Sequence, residues 1–299
     1  MSIFIDRTNK VVVQGATGKE GSYWTRHMMD MGTDVAFGVT PGKEGQQVEG
    51  LPVYHTIRRG MRDHAVDTAM LFVPPAFTRD AIFEALEAGI RKIVTIADGI
   101  PLHELLDIRS AAKSCGAMVV GGNTSGVISP GKAMMGVLPY WIERVYKPGR
   151  IGVMTRSGSL TNEVTAEVVK AGYGVSTLMG VGGDAVPLTR FAEILPLYQA
   201  DPDTDAVVII GELGGTMEEE VAECMESGVF TKPLVAFIGG RTAPKGKRMG
   251  HAGAIVTGSK GTVEGKVEAL TGAGAMVAKK PSLVGPLLRE LMSRQRPTP

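Results

Sequence analysis

Short, continuously apolar runs recur along this chain, and glycine closes several of them. Candidate strands in the first half are Val11–Gln14, Val35–Val39, Ala69–Val73, Lys92–Ala97 and Ala117–Gly121. Runs that are apolar throughout, rather than alternating, describe strands buried on both faces of a sheet. Amphipathic stretches lie between them at Lys19–Met31, Thr78–Ala88 and Pro101–Cys115. Strands separated by helices of this length imply βαβ units and a parallel sheet. Glycine supplies 40 of the 299 residues, about twice the usual share of roughly 7%. Pairs stand at Gly121–Gly122, Gly182–Gly183, Gly214–Gly215 and Gly239–Gly240. Glycine at a strand's carboxyl end lets the backbone turn sharply or approach a ligand closely, and open α/β sheets bind ligands at that edge.

The alternation breaks at Pro130–Gly149, which reads as an irregular crossover, and then resumes. The second series of strands is Arg150–Thr155, Val175–Gly180, Ala206–Gly211, Leu234–Gly239 and Ala275–Ala278. Its helices are Ser159–Ala171, Leu188–Ala200, Thr216–Ser227, Thr262–Thr271 and Ser282–Arg294. The expected organisation is therefore a domain over residues 1–130, a linker over 131–148 and a second domain over 149–299.

Several function classes are disfavoured. Lys plus Arg totals 32 and Asp plus Glu 31, without the basic excess of a general nucleic-acid binder. Cys115 and Cys224 are the only cysteines, too few for a disulfide framework or a four-thiolate metal site, and no metal is expected. No apolar run is long enough to span a membrane, and Met1–Lys10 lacks the apolar core of a secretory signal. A cytoplasmic protein is expected, or the mature form of an organellar, mitochondrial-matrix one.

The first strand runs into Gln14-Gly15-Ala16-Thr17-Gly18-Lys19-Glu20-Gly21, and a helix follows. Amides at a helix N-terminus, with the positive end of its dipole, suit an anion such as a diphosphate. The spacing GxxGxxG is not the dinucleotide GxGxxG, and a tight turn without a ligand is the plainer reading. NAD-binding units carry an acidic residue after the second strand. Here Gly38-Val39-Thr40-Pro41-Gly42-Lys43 has none, and Lys43 suits a phosphorylated ribose. Coenzyme A, with its 3′-phosphate, fits better than NAD, and NADP stays open. Pro74–Pro75 and Ile96-Ala97-Asp98-Gly99 end strands on the same edge, where the rigid prolines can flank an adenine or pantetheine arm.

The most distinctive segment is Thr242-Ala243-Pro244-Lys245-Gly246-Lys247-Arg248-Met249-Gly250-His251-Ala252-Gly253-Ala254. A lone histidine is usually structural or at the surface. This one stands among glycines and follows three cations. Neutral imidazole is a good nucleophile near pH 7 and can carry a phosphoryl group. Thr155-Arg156-Ser157-Gly158-Ser159-Leu160-Thr161, a strand end and helix start, offers a cradle for it, although plain N-capping explains it equally well. A nucleophilic imidazole also needs a partner on its other nitrogen. Glu212, among glycines at a strand's end, is the first candidate and Asp184 the competitor.

At these residues the chain resembles the α subunit of succinyl-CoA synthetase (succinate–CoA ligase). The segments are TAPKGKRMGHAGAI at 242–255, TRSGSLTNE at 155–163, IGELGG at 210–215, QGATGKEG at 14–21, GVTPGK at 38–43, GGNTSGVISPGK at 121–132 and GVGGDAVP at 180–187. The likeness runs nearly end to end and in order. It implies an N-terminal Rossmann-like CoA-binding domain followed by a flavodoxin-like ligase domain, both with parallel sheets. It implies an ADP- or GDP-forming acid–thiol ligase of the tricarboxylic acid cycle type, with ATP or GTP and Mg2+ held by an ATP-grasp β subunit in an αβ or α2β2 assembly. His251 would carry the phosphoryl group and Glu212 would assist it. Ser157, Gly158 and Ser159 would bind phosphate. Thr17, Gly18, Lys19, Glu20, Lys43, Ile96, Ala97 and Asp98 would contact CoA, Asp98 standing where the family usually has Glu.

Three departures fall around the expected acyl site. Asn162 stands where the family usually has Tyr. Gly121–Gly126 replaces GPNCPG and brings in Thr124 and Ser125 beside Asn123. Leu138-Pro139-Tyr140-Trp141 replaces MPGH. A pocket that gains hydroxyls and an amide fits a more polar small carboxylic acid, such as malate or citrate. A NAD(P)-binding oxidoreductase and a non-catalytic CoA-binding regulatory module are the alternatives. Neither has a use for Ser157–Ser159, Glu212 and His251 together.

Overall fold

The computed structural model describes residues 2–241, 251–253 and 261–294. The chain divides into two compact units, one of residues 3–138 with 186–189, the other of residues 139–185 and from 190 onward.

The first unit begins β1 (Lys10–Gln14), α1 (Lys19–Met31), β2 (Asp34–Val39), β3 (Gln47–Val48), β4 (Leu51–Tyr54) and α2 (Ile57–Gly60). It continues β5 (Thr68–Leu71), α3 (Pro75–Glu87), β6 (Lys92–Thr95), α4 (Leu102–Ser114), β7 (Met118–Val120), β8 (Gly126–Ser129) and β9 (Ala133–Gly136). The sheet order is β3-β4-β2-β1-β5-β6-β7, parallel except for the β3–β4 pair. After β4 the chain crosses to the other side of β1, so the strand order reverses there. That reversal opens a crevice at the carboxyl ends of β1, β2 and β5. One face of the sheet packs its core through Val12, Phe37, Ala69, Leu71, Ile93 and Val119, against Ile82, Leu86, Leu105 and Ile108 of α3 and α4.

Two features of this unit depart from expectation. β3, β4 and α2 were not anticipated, being too short to show a period. Ala133–Gly136, within the stretch read as irregular crossover, pairs with β8 as an antiparallel hairpin. Gly126 and Gly136 sit opposite each other there, and a Cβ on either would strike the other's backbone, which explains the glycines. Val186–Thr189 belongs to this unit because Leu188 joins its core, Thr189 donates to the Val119 carbonyl at 2.7 Å, and Arg109 donates to the Pro187 carbonyl at 2.6 Å.

The second unit runs β10 (Pro148–Thr155), α5 (Gly158–Lys170), β11 (Val175–Gly180), α6 (Phe191–Ala200), β12 (Ala206–Glu212), α7 (Met217–Glu226), β13 (Leu234–Gly239), α8 (Val263–Gly272), β14 (Met276–Ala278) and α9 (Val284–Arg294). Its parallel strands stand in the order β14-β13-β12-β10-β11. Every residue of β11, β12 and β13 is buried, Ser176, Thr177 and Glu212 included, as strands covered on both faces are. The reversal point is β10, between β11 and β12. Helix α6 starts at Phe191 rather than Leu188, because the Arg190 amide is capped by the Glu193 carboxylate at 2.7 Å and Leu188 is committed elsewhere. Both units are thus α/β with parallel sheets, as expected.

Candidate active site

Three strand ends meet at the reversal point of the second sheet. β10 ends at Thr155, β11 at Gly180 and β12 at Glu212, and α5 begins immediately beyond β10. Ser157 is the N-cap of α5 and accepts from the Leu160 amide at 3.4 Å. Its own amide donates to Thr155 Oγ1 at 3.1 Å, which fixes the turn. Gly158 and Ser159 form the exposed first turn, with their amides at the positive end of the helix. The segment expected to be a cradle is therefore a capping structure whose first turn is exposed.

His251 lies against this edge. Its Nδ1 is 2.8 Å from Glu212 Oε2. The hydrogen bond to Glu212 raises the imidazole above its ordinary value, while burial works against it. Asp184, the competing carboxylate, acts on the ring only as a weaker charge, so Glu212 is the direct partner. With Nδ1 engaged, Nε2 is the nitrogen left for chemistry. Gly183 makes room for the ring, since a Cβ there would lie 2.7 Å from Cδ2 and nearer still to Cγ. The Gly253 amide donates to the Gly183 carbonyl at 3.0 Å and ties the histidine segment down. Lys245, Lys247 and Arg248 lie outside the described residues.

Behind Glu212 stands a group of buried charges that the sequence reading did not assign. Arg156 Nη2 is 3.3 Å from Glu212 Oε1, and Arg156 Nη1 is 3.6 Å from Glu218 Oε1. Glu218 pairs in turn with Lys266, which also reaches Glu219 at 3.0 Å. The signal was present in the sequence. Lys266 occupies a core position of α8, between Val263 and Leu270, where an ordinary lysine does not belong.

Asn162 sits one turn into α5, on the side of Gly158 and Ser159, and its Oδ1 accepts from the Tyr146 hydroxyl at 2.5 Å. Burial pushes Tyr146 well above the ordinary tyrosine range, so the phenol stays a donor.

In the first unit, the glycine loop follows β1. Gly15 has φ +79°, and a Cβ there would lie 2.8 Å from the Phe72 carbonyl carbon. Thr17 donates through its amide and hydroxyl to Thr40 Oγ1 at 3.3 and 3.1 Å, joining the loop to the end of β2. Gly18 is the N-cap of α1 and Lys19 and Glu20 its exposed first turn. Lys43 is exposed in the turn after β2. Beside them a cleft of about 540 Å³ is lined by Gln14, Gly15, Val39, Thr40, Pro74 and Phe77, among others. Its walls are largely apolar, as a nucleobase or pantetheine arm requires. Ile96, Ala97 and exposed Asp98 follow β6 on the same edge. The Ala97 carbonyl accepts from the Asn123 amide at 2.8 Å, which brings the Asn123-Thr124-Ser125 turn to that edge. Asn123 has positive φ, and Thr124 Oγ1 accepts from the Gly126 amide at 3.0 Å.

Comparison with known proteins accords with this two-part arrangement. A CoA-binding domain family matches residues 6–99 and a CoA-ligase family residues 154–276. The chain is 74% identical over 292 residues to the ADP-forming sulfoacetate–CoA ligase subunit SauD of Bilophila wadsworthia, covering 98% of this chain and all of that one. The chain belongs to the α-subunit family of ADP-forming acid–CoA ligases. The sulfoacetate–CoA ligase subunit SqwL of an Acholeplasma species is 72% identical, over 97% of this chain and 98% of its own. The ADP-forming succinate–CoA ligase subunit alpha 1 of Archaeoglobus fulgidus is 46% identical, over 93% and 94%. Among solved structures, an ATP citrate lyase mutant of Methanosaeta concilii in complex with (3S)-citryl-CoA matches at TM-score 0.88 and 25% identity. That match covers 97% of this chain, which spans half the length of the lyase. These ligase relatives are subunits, so the family implies a partner chain. The oxidoreductase and non-catalytic readings are not favoured. No helix among the described residues is long and apolar enough to cross a membrane.

Proposed function

We propose that the chain is the α subunit of an ADP-forming sulfoacetate–CoA ligase that works through phosphorylated His251. The observation that carries the chemistry is the 2.8 Å bond between His251 Nδ1 and Glu212 Oε2, beside the capped turn Ser157-Gly158-Ser159. The acid is proposed from the sulfoacetate–CoA ligase relatives and from the polar residues at the departures. A sulfonate presents three acceptor oxygens. Thr124 and Ser125 supply hydroxyl donors where the family carries Cys and Pro, and Asn162 an amide where it carries Tyr. This reading replaces malate and citrate as the leading acids.

ATP and Mg2+ are assigned to an ATP-grasp β subunit, in an αβ or α2β2 enzyme. Nε2 attacks the γ-phosphorus, forming N–P as the bond to ADP breaks. Glu212 holds the Nδ1 proton and stabilises the cationic ring, and the first turn of α5 receives the phosphoryl oxygens. The acid's carboxylate then attacks phosphorus, the N–P bond breaks, and an acyl phosphate forms. The CoA thiol, losing its proton, attacks the acyl carbon and expels phosphate. CoA is assigned to Thr17–Glu20, Lys43 and Ile96–Asp98, with its less polar part in the apolar cleft. The family's tricarboxylic acid cycle role is not carried over, because sulfoacetate is not a cycle acid.

The test reconstitutes the chain with its β subunit and supplies γ-labelled ATP. Acid-labile, base-stable phosphate is expected on the α chain, and His251→Ala should remove it while CoA still binds. Sulfoacetate should turn over faster than succinate, malate or citrate, and Asn162→Tyr should move the preference toward succinate. Undiminished thioester synthesis by His251→Ala overturns the mechanism. Faster succinate turnover by the parent overturns the substrate.

A further inference from the structure

The charges behind Glu212 form a chain across four elements. Lys266 on α8 and Glu218 on α7 are both fully buried, and their side chains pair. Lys266 also donates to the Gly215 carbonyl at 3.1 Å. Glu218 Oε1 accepts from the Glu212 amide at 3.1 Å and faces Arg156 Nη1 at 3.6 Å. Arg156, after β10, donates through Nη1 to the Gly214 carbonyl at 2.9 Å and holds Glu212 Oε1 with Nη2. Glu212 Oε2 meets His251. Even the strand is shaped for this, because a Cβ on Gly211 would lie 2.7 Å from Glu218 Cγ.

Burying four charges costs more than apolar residues of the same volume would, so stability alone is a poor reason for the arrangement. Two cations and two carboxylates balance, with Glu219 at the rim. Glu218 grips the backbone of the residue that carries the histidine's partner, and it also orients the guanidinium beside that partner. We propose that Lys266, Glu218 and Arg156 are positioning residues that aim Glu212 at His251 and set the electric field at the imidazole. The inference rests on His251 being the phosphoryl carrier. The charged groups facing the ring among the described residues are Glu212 from β12, Arg156 from the end of β10 and Asp184 from the segment after β11. Lys266, Glu218 and Glu219 act behind them from α8 and α7.

The sign of each charge sets the direction in which its removal moves the imidazole. Glu218→Gln removes a negative charge yet keeps an acceptor for the Glu212 amide, so the cationic ring is less favoured and its midpoint falls. Lys266→Met removes a positive charge and raises it. Each shift should be about half to one pH unit for a charge acting through a partly buried path. Glu218→Gln combined with Lys266→Met removes both charges and should return the midpoint to that of the parent. The neutral pair also tolerates burial, so it reports even where Lys266→Met alone does not fold.

The readouts are the pH profile of phosphate incorporation in the reconstituted enzyme and an NMR titration of the His251 ring in the chain. Opposite shifts in the single variants with restoration in the double, or a lowered midpoint in Glu218→Gln restored in the double, support the relay. Coincident midpoints in all variants, or shifts of the same sign, overturn it. An unlabelled parent instead refutes the phosphoryl-carrier reading, and the NMR titration still decides the relay.

Discussion

Gly183→Ala is the sharpest test of the histidine's seat. The backbone of Gly183 lies outside the left-handed region, so alanine is conformationally allowed. The obstacle is the imidazole itself. An alanine Cβ would stand 2.7 Å from Cδ2 and nearer to Cγ, whereas carbon atoms rest at about 3.5–4.0 Å. The ring must therefore retreat by roughly 1 Å. Because Cγ is the ring's attachment point, rotating the ring does not relieve the clash. Either the side chain swings about its Cα–Cβ bond, or the backbone at His251 moves against the 3.0 Å bond between the Gly253 amide and the Gly183 carbonyl. A retreat of that size stretches the 2.8 Å bond to Glu212 toward 4 Å. Losing a hydrogen bond to a charged group costs about 1.5–3 kcal/mol, and misplacing a reacting group by 1 Å costs about a hundredfold. The expected result is a fall of about tenfold to a hundredfold in the rate of His251 phosphorylation. The strand and helix core lies elsewhere, so the thermal midpoint should hold. Labelling time courses with γ-labelled ATP and the β subunit, beside a melting curve, make the comparison. Parent-like labelling by Gly183→Ala would show that the ring does not work from this position.

Other consequences concern protonation and the far end of the second sheet. Glu212 holds His251 above the ordinary imidazole value, about 6.5, and only the neutral ring attacks phosphorus. Phosphorylation should therefore rise with pH through a midpoint above 6.5, and Glu212→Gln should lower that midpoint along with the maximal rate. Since the folded ring's value is raised, the pair stabilises the fold fully below the unfolded imidazole value and loses that contribution as pH rises through the raised one. The stability gap between parent and Glu212→Gln in urea should accordingly be larger at pH 6 than at pH 9. At the opposite end of the sheet, Lys232 donates to the carbonyls of Tyr198, Asp201 and Thr204 at 2.7, 2.6 and 2.7 Å. Lys232→Met removes the ammonium donor from all three carbonyls and should cost about 1–3 kcal/mol in denaturant titration, with the labelling rate of the folded enzyme unchanged.

The fold was legible wherever burial leaves a periodic trace. β12 and β13 are buried throughout, and their apolar runs announced them. The His251–Glu212 pair was legible because both residues stand among glycines, where a side chain has few other reasons to be. β3 and β4 were not, since two and four residues establish no pattern. Glu218 was hidden in the acidic run Glu218-Glu219-Glu220, which reads as a solvated first turn. Only tertiary packing distinguishes the fully buried member from its neighbours. Lys266 was legible in principle, as a lysine in an apolar stripe, but its partner is 48 positions away.

The separation between the charges behind the histidine and the positions that depart from the succinate pattern has an evolutionary consequence. Arg156, Glu212, Glu218 and Lys266 are locked to one another and to the strand ends, so drift at any one of them disturbs the rest. Asn162 is bonded instead to Tyr146, and Thr124 caps its own turn through the Gly126 amide. A lineage can thus trade one acid for another by a few changes at the periphery while inheriting its energy-coupling machinery whole.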